Sequence, residues 1–371
     1  DGGNGLSILF FSLLIYMLIP RKNKISFGKT EKYFVLISLL ISLAHVILLA
    51  SPLGITPSEK NYFSFDGAEL VFALVVLIFF LLNHFNLYAD KQVYERELGA
   101  AQIVLAFLSL ALVFSNHFLI VVICFPLLIL TVAFAPQLAY KSKADISMNH
   151  GISWAVLALI LLSLSSGLTY QEFHTLRFDE IQHQVFEKGF TSVALLGWGA
   201  PFVFFASILC FPAFTFFSKD YEKADSWSLI GQFRLLLPLI GSIMICRWVL
   251  SMAGTWKGDQ FLAHQNLVVT AFPVFVFGLM AVVVLLQTLF AKKIAQIFQI
   301  YSIQPLLLLL WGLTSGTKES LLKGVAGLFL YAIAVPLSLK IFVFLDLKPF
   351  ENMSGGRLAL RGATFFQRLQ L

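Results

Sequence analysis

Charge is scarce in this chain. Only 12% of its 371 residues are Asp, Glu, Lys or Arg, and 58% are hydrophobic. An ordinary soluble domain carries about twice that share of charge. Cysteine is scarcer still. Cys124, Cys210 and Cys246 all lie in apolar runs, without disulfide or metal spacing, and read as small packing residues. There is no glycine-rich phosphate loop, no Cys or His cluster at metal-ligand spacing, and no nucleophile elbow. No catalytic residue, cofactor or metal is therefore expected. No cleavable signal peptide is expected either. The first apolar run, Leu6 to Pro20, is short, lacks a basic leader and is followed by charge. The net charge of +6 does not speak for nucleic acid, because its distribution follows membrane topology.

Long apolar runs are what the chain has in abundance. Mean hydropathy is +0.85. The runs repeatedly reach the roughly 20 residues that a helix needs to cross a bilayer. Hydrocarbon tolerates no unsatisfied backbone group, so spans are helices or closed barrels. These runs are continuous rather than alternating, which rejects a barrel. The fold class is all-α and polytopic. Eleven transmembrane spans are predicted, at about 5–20, 33–50, 67–89, 98–116, 118–140, 151–170, 190–217, 227–252, 266–290, 294–313 and 321–345. Lys and Arg number 17 in the odd-numbered connections and the tail, against 6 in the even-numbered ones when Lys323, at the start of the eleventh span, is counted with them. That bias puts the N-terminus outside and the C-terminus in the cytoplasm. The expected location is a bacterial inner membrane.

The longest outside connection is 171–189, QEFHTLRFDEIQHQVFEKG. Phe173, Leu176, Ile181, Val185 and Phe186 recur at helical intervals. The segment reads either as an amphipathic helix on the membrane surface or as a soluble lid. Its His174, Asp179, Glu180 and His183 offer metal-binding or acid–base chemistry, set against a plain solvated face. They carry the enzyme alternative, a membrane-embedded glycosyl- or acyltransferase.

Ionisable groups inside the spans are few. His45 lies in the second, His84 in the third, Arg234 and Arg247 in the eighth, and Lys340 in the eleventh. Glu69 stands near the start of the third, and Asn116 and His117 at a membrane edge. Such residues are expensive in hydrocarbon and mark functional paths by default. A desolvated lysine titrates readily, whereas arginine keeps its proton. Lys340 is therefore the best candidate for proton transfer, and Arg234 is a fixed charge. Arg247 is expected near a membrane edge, with room to snorkel. His45 and His84 read as isolated packing histidines. Spans four to eleven carry no acid at mid-depth.

The stretch Trp198 to Trp248 resembles the antiporter-like membrane subunits of the respiratory complex I and multisubunit cation/proton antiporter family. Pro212, Thr215, Tyr221, Glu222 and Ala224 fall in register with that family's motif between its seventh and eighth helices. Gly241 and the pair Arg247–Trp248 are similar to the end of its eighth helix. Lys292 and Lys293 match a later basic pair, and Lys340 falls on the lysine of a still later helix. The resemblance implies inverted repeats. Residues 1–97 would form an N-terminal three-helix segment, and 98–252 a five-helix repeat of helices 4–8. Residues 253–346 would form a three-helix partial second repeat of helices 9–11, and 347–371 a basic cytoplasmic tail. It also implies losses. The seventh-helix lysine falls on Ser207, the eighth-helix lysine on Leu239 or Pro238, the fifth-helix glutamate near Pro126, and the motif histidine on Phe214.

The resulting expectation is a vestigial antiporter-like subunit. It would have a structural or assembly role, no proton pumping of its own, and other membrane subunits and the bilayer as partners. The alternative is a working ion- or proton-conducting subunit that uses Lys340 and Arg234.

Overall fold

The structure is a computed structural model. It describes residues 27–50, 62–63, 67–87, 95–140, 145–188, 235–247, 256–257, 260–261 and 318–344. It also describes scattered positions in 10–15, 193–205 and 279–286. The helices are α1 (Phe27–Ala50), α2 (Gly67–Leu87), α3 (Glu95–Phe114), α4 (Phe118–Tyr140), α5 (Asp145–Phe173), α6 (Phe178–Lys188), α7 (Leu235–Arg247) and α8 (Lys318–Phe344). A small antiparallel hairpin pairs β1 (Trp256–Lys257) with β2 (Gln260–Phe261), while the described residues are otherwise mainly helical.

Two described stretches, Phe118–Ala135 and Gly151–Phe173, are long and apolar enough to cross a bilayer. Five shorter apolar helical stretches accompany them: Tyr33–Leu49, Glu69–His84, Gly99–Phe114, Leu235–Arg247 and Lys323–Leu337. Helices outrun the apolar runs that predict them. Helix α1 begins at Phe27, before Lys29 and Lys32, and α5 begins at Asp145. Hydropathy marks the buried part of a helix, whereas caps and chain turns set its ends.

Neighbours in sequence pack together: α1 on α2, α2 on α3, α3 on α4 and α4 on α5. Helix α1 also reaches α3, and α8 returns to pack on α2. The core is apolar and aromatic. Phe72 and Phe79 on α2, Phe114 on α3 and Phe118 and Phe125 on α4 are fully buried. Phe125 meets Phe205 edge-on, with ring centroids 4.9 Å apart. Serines inside the helices close on their own backbone. Ser38 donates to the Phe34 carbonyl (2.9 Å), Ser42 to that of Ser38 (2.8 Å) and Ser242 to that of Pro238 (2.7 Å). This satisfies the hydroxyls without another helix.

Helix α5 divides into two faces. Ala155, Ala158, Leu162, Ser165 and Thr169 are buried at spacings of three and four. Val156, Leu159, Ile160 and Leu164 are exposed on the other side. Both faces are mainly apolar, so the exposed one suits lipid or another subunit rather than water. At the close crossing with α4, a Cβ added to Gly151 would collide with the Ala133 side chain.

Candidate functional site

The most concentrated polar chemistry among the described residues lies at one end of the bundle. There α3 gives way to α4 through Ser115, Asn116 and His117. These residues run extended between two other segments. Ser115 bridges Phe63 on one side, and His117 bridges Arg177 on the other, both antiparallel. Asn116 N–H donates to the Tyr62 carbonyl at 2.7 Å, and Phe118 N–H donates to the Leu176 carbonyl at 2.9 Å. Phe178 N–H donates to the Asn116 carbonyl at 2.9 Å. Backbone polar groups that the helix ends would leave open are thus paired across three parts of the chain.

Arg247, the last residue of α7, points into this junction. Its Nη1 donates to the carbonyls of Leu112 (2.9 Å) and Val113 (2.6 Å), and its Nη2 lies 3.3 Å from Glu69 Oε1. Its guanidinium carbon stands 5.7 Å from the centre of the Phe178 ring. The side chain is only 9% exposed, and that of Glu69 is 15% exposed. The guanidinium therefore faces protein groups at this end of the bundle rather than reaching outward. Arg247 turns inward because the carbonyl end of α3, a carboxylate and an aromatic face meet its planar set of donors there. Glu69 sits in the first turn of α2, where the helix dipole also favours a negative charge.

Helix α6 covers this junction. Phe178, Ile181 and Val185 are buried beneath it, and Phe178 packs on Phe118 with centroids 6.0 Å apart. Of the apolar residues of 171–189, Phe173, Ile181 and Val185 are buried against protein, as a lid would be.

The acids of this segment are tied to a cation. Arg177 meets Asp179 Oδ2 at 2.7 Å and Glu180 Oε1 at 3.0 Å. Partial burial pushes the Asp179 carboxyl up, but hydrogen bonds from Arg177 and Asn116 outweigh it and hold the group below the usual carboxylate range. The hydrogen bond to Asp179 leads the upward shift of Arg177. Thr175 Oγ1 donates to Glu180. His183 faces Glu187 at 3.5 Å on the exposed side. His174 is exposed, has a φ of 54° and meets the Tyr170 ring edge-on. No group of three or more His, Cys, Asp or Glu side chains among the described residues is placed to hold a metal. The four enzyme candidates thus do not converge on one point.

Two other charge candidates, His84 and His45, are described with their side chains. Fully buried His84 on α2 lies with its Nδ1 3.1 Å from Gln102 Oε1 on α3. Gln102 in turn donates to the Phe80 carbonyl at 3.2 Å. Sequence reasoning missed Gln102, although an amide inside an apolar run was a readable signal. His45 is half-buried on α1, with Nε2 unpartnered among the described residues. Lys340 lies on α8, after Pro336 in the helix interior. Arg234, Pro212, Tyr221, Glu222, Lys292 and Lys293 fall outside the described residues, as does Ser207. Leu239 and Pro238, the two positions on which the resemblance would place a lysine, are both buried on α7. Pro126, near the place of the family glutamate, is buried on α4.

No protein-family model and no curated protein matches this chain. Solved structures do match. A chain of the membrane-bound sulfane sulfur reductase, an archaeal respiratory membrane complex, is similar over 91% of this chain, with 17% identity and a TM-score of 0.71. This chain spans just over half of that one, 56% of its length. Respiratory complex I from Thermus thermophilus offers two further matches, each over 91% of this chain. With aureothin bound, the identity is 17%, the TM-score 0.64 and the share of that chain 70%. With NADH bound, the values are 13%, 0.60 and 71%. These likenesses show a fold shared with chains of respiratory membrane complexes. That fold is consistent with the antiporter-like membrane subunits which the sequence resembles.

Proposed function

We propose that this chain is a structural, non-pumping antiporter-like subunit of a hetero-oligomeric membrane complex. One observation carries the reading. At two described positions where the resemblance places a proton-carrying lysine and glutamate, buried Leu239 and buried Pro126 stand instead. Neither accepts a proton. The buried charge on the same helix as Leu239, Arg247, is engaged by two carbonyls and Glu69. A guanidinium does not release its proton at physiological pH, so this arrangement favours bracing over relay.

The partners on this reading are other membrane subunits. The exposed apolar face of α5 and a similar one on α1, with Ile37, Leu40, Ile41 and Leu48, support it. The arrangement proposed for the membrane is eleven spans, N-terminus outside and C-terminus in the cytoplasm. Helices 4–8 and 9–11 would be related as inverted repeats.

The test is proton flux. The chain, purified free of partner subunits, is reconstituted into vesicles holding a pH-sensitive dye. A potential is then imposed. The expected flux through vesicles of this chain alone equals that of empty vesicles. Flux that appears and is lost in Lys340→Ala would replace this reading with the conducting one.

A further inference from the structure

His117 occupies a demanding position. Its backbone is paired to Arg177, and the backbone groups on either side of it are held by Tyr62, Leu176 and Phe178. Its ring lies against Tyr62, with centroids 5.4 Å apart. Its Nδ1 accepts the backbone N–H of Leu119 at 3.2 Å, which gives α4 a side-chain N-cap. An acceptor at Nδ1 requires the neutral ring with its proton on Nε2. An imidazolium donates from both nitrogens and cannot accept.

We propose that the His117 imidazole is a pH-sensitive latch, whose protonation uncaps α4 and releases α6 from the end of the bundle. The charges facing it come from several elements. Arg177 and the positive N-terminal end of the α4 dipole oppose a second positive charge there. Glu180 favours that charge but is shared with Arg177. Asp179 is held by Arg177 and Asn116. Tyr62 presents a neutral phenol. From α7, Arg247 reaches Ser115 at 3.3 Å, and its charge is paired with Glu69. Burial and then Arg177 hold the His117 pKa below the ordinary 6.5.

The route from ring to lid is short. Phe118 N–H and the Asn116 carbonyl are the two backbone groups that tie this segment to residues 176 and 178. Both flank His117. Loss of the cap at Leu119 and repulsion from Arg177 act on that pairing directly. The other histidines of the segment behave differently. His183 is exposed, and its contact is with Glu187 on α6 itself rather than with residues 115–118. His174 is exposed. The latch is independent of the non-pumping reading.

Amide hydrogen exchange on the full chain, in the detergent complex in which it purifies, tests the latch. Rates are normalised for the intrinsic pH dependence of exchange. Protection of residues 176–185 is expected to persist at about pH 7.5. It is expected to fall by up to about tenfold per pH unit from about 6.5, the ordinary imidazole value that the opened segment regains, down to the lowered value of the closed one. His117→Asn keeps a side-chain acceptor for the Leu119 N–H and does not titrate, so its profile is expected to be flat. The double variant His174→Gln/His183→Gln is expected to keep the transition. A flat wild-type profile, a transition retained in His117→Asn, or its loss in the double variant overturns the proposal. Should His117→Asn fail to fold, the wild type and the double variant still decide it.

Discussion

Arg247 shows how one side chain can serve several elements. It supplies donors to the α3 carbonyls, a partner to Glu69 and a cation to the Phe178 ring. Removing one partner of a buried ion pair costs about 3–5 kcal/mol, because the other charge is left without compensation. Arg247→Met is expected to lower stability by about that amount, read as the midpoint of unfolding in a mixed-detergent titration. Glu69→Gln is expected to cost less, because an amide oxygen still accepts from the guanidinium. A larger loss in Glu69→Gln than in Arg247→Met would show that the carbonyl contacts contribute little. Gln102 makes a smaller bridge between α2 and α3. Its replacement by Leu is expected to cost about 1–3 kcal/mol, because His84 and the Phe80 carbonyl each lose a partner.

Helices here approach one another wherever a small residue lets them. Gly151 on α5 meets Ala133 on α4, and Gly197 lies against Leu168 and Thr169, with an added Cβ 3.2 Å from each. The Gly197 carbonyl accepts a hydrogen bond from Ser165. Close backbone approach through small residues is a main route to helix association in lipid. Gly151→Ala is expected to destabilise by about 1–3 kcal/mol through overpacking. Ala133→Gly, combined with it, is expected to restore much of that loss. The combined midpoint measured against the two single variants checks this, and simple additivity would remove the contact from the account.

The lid α6 has its own pH dependence. Asp179 and His117 both have folded-state pKa values below their ordinary ones. Each therefore contributes stability that is present above its unfolded pKa and lost as pH falls through the folded value. For His117 the loss begins below about 6.5, and for Asp179 below about 3.8. Acidification is thus expected to loosen α6 in two steps, and Asp179→Asn is expected to remove the lower one. Exchange protection of α6 between about pH 7 and 3 checks the order.

The assembled protein joins a fold shared with respiratory membrane complexes to apolar outer faces on α1 and α5. The proposed topology makes a direct prediction. A single Cys placed at His183, in a chain with Cys124, Cys210 and Cys246 replaced, is expected to react with a membrane-impermeant maleimide added to intact cells. A Cys at Arg357 is expected to react only after the membrane is opened. The reverse pattern would invert the orientation drawn from the 17 to 6 distribution of Lys and Arg.

The amino-acid sequence determined the helical class, the approximate place of each described helix and the resemblance to antiporter-like subunits. Hydropathy acts over about 20 successive residues, and such a run is visible without knowing what it packs against. The places of Leu239 and Pro126 were likewise read by register alone. Only the tertiary structure decided what the polar groups do. Arg247 and Glu69 are 178 positions apart, and Arg247 and Leu112 are 135 apart. No local pattern pairs them. The lid was legible as an amphipathic helix, but its burial partner was not, because an apolar face looks the same to lipid and to protein. His117 stood out as a polar residue at a helix junction. Its cap on α4 and its bridge to Arg177 exist because the fold brings residues 62, 117 and 177 together.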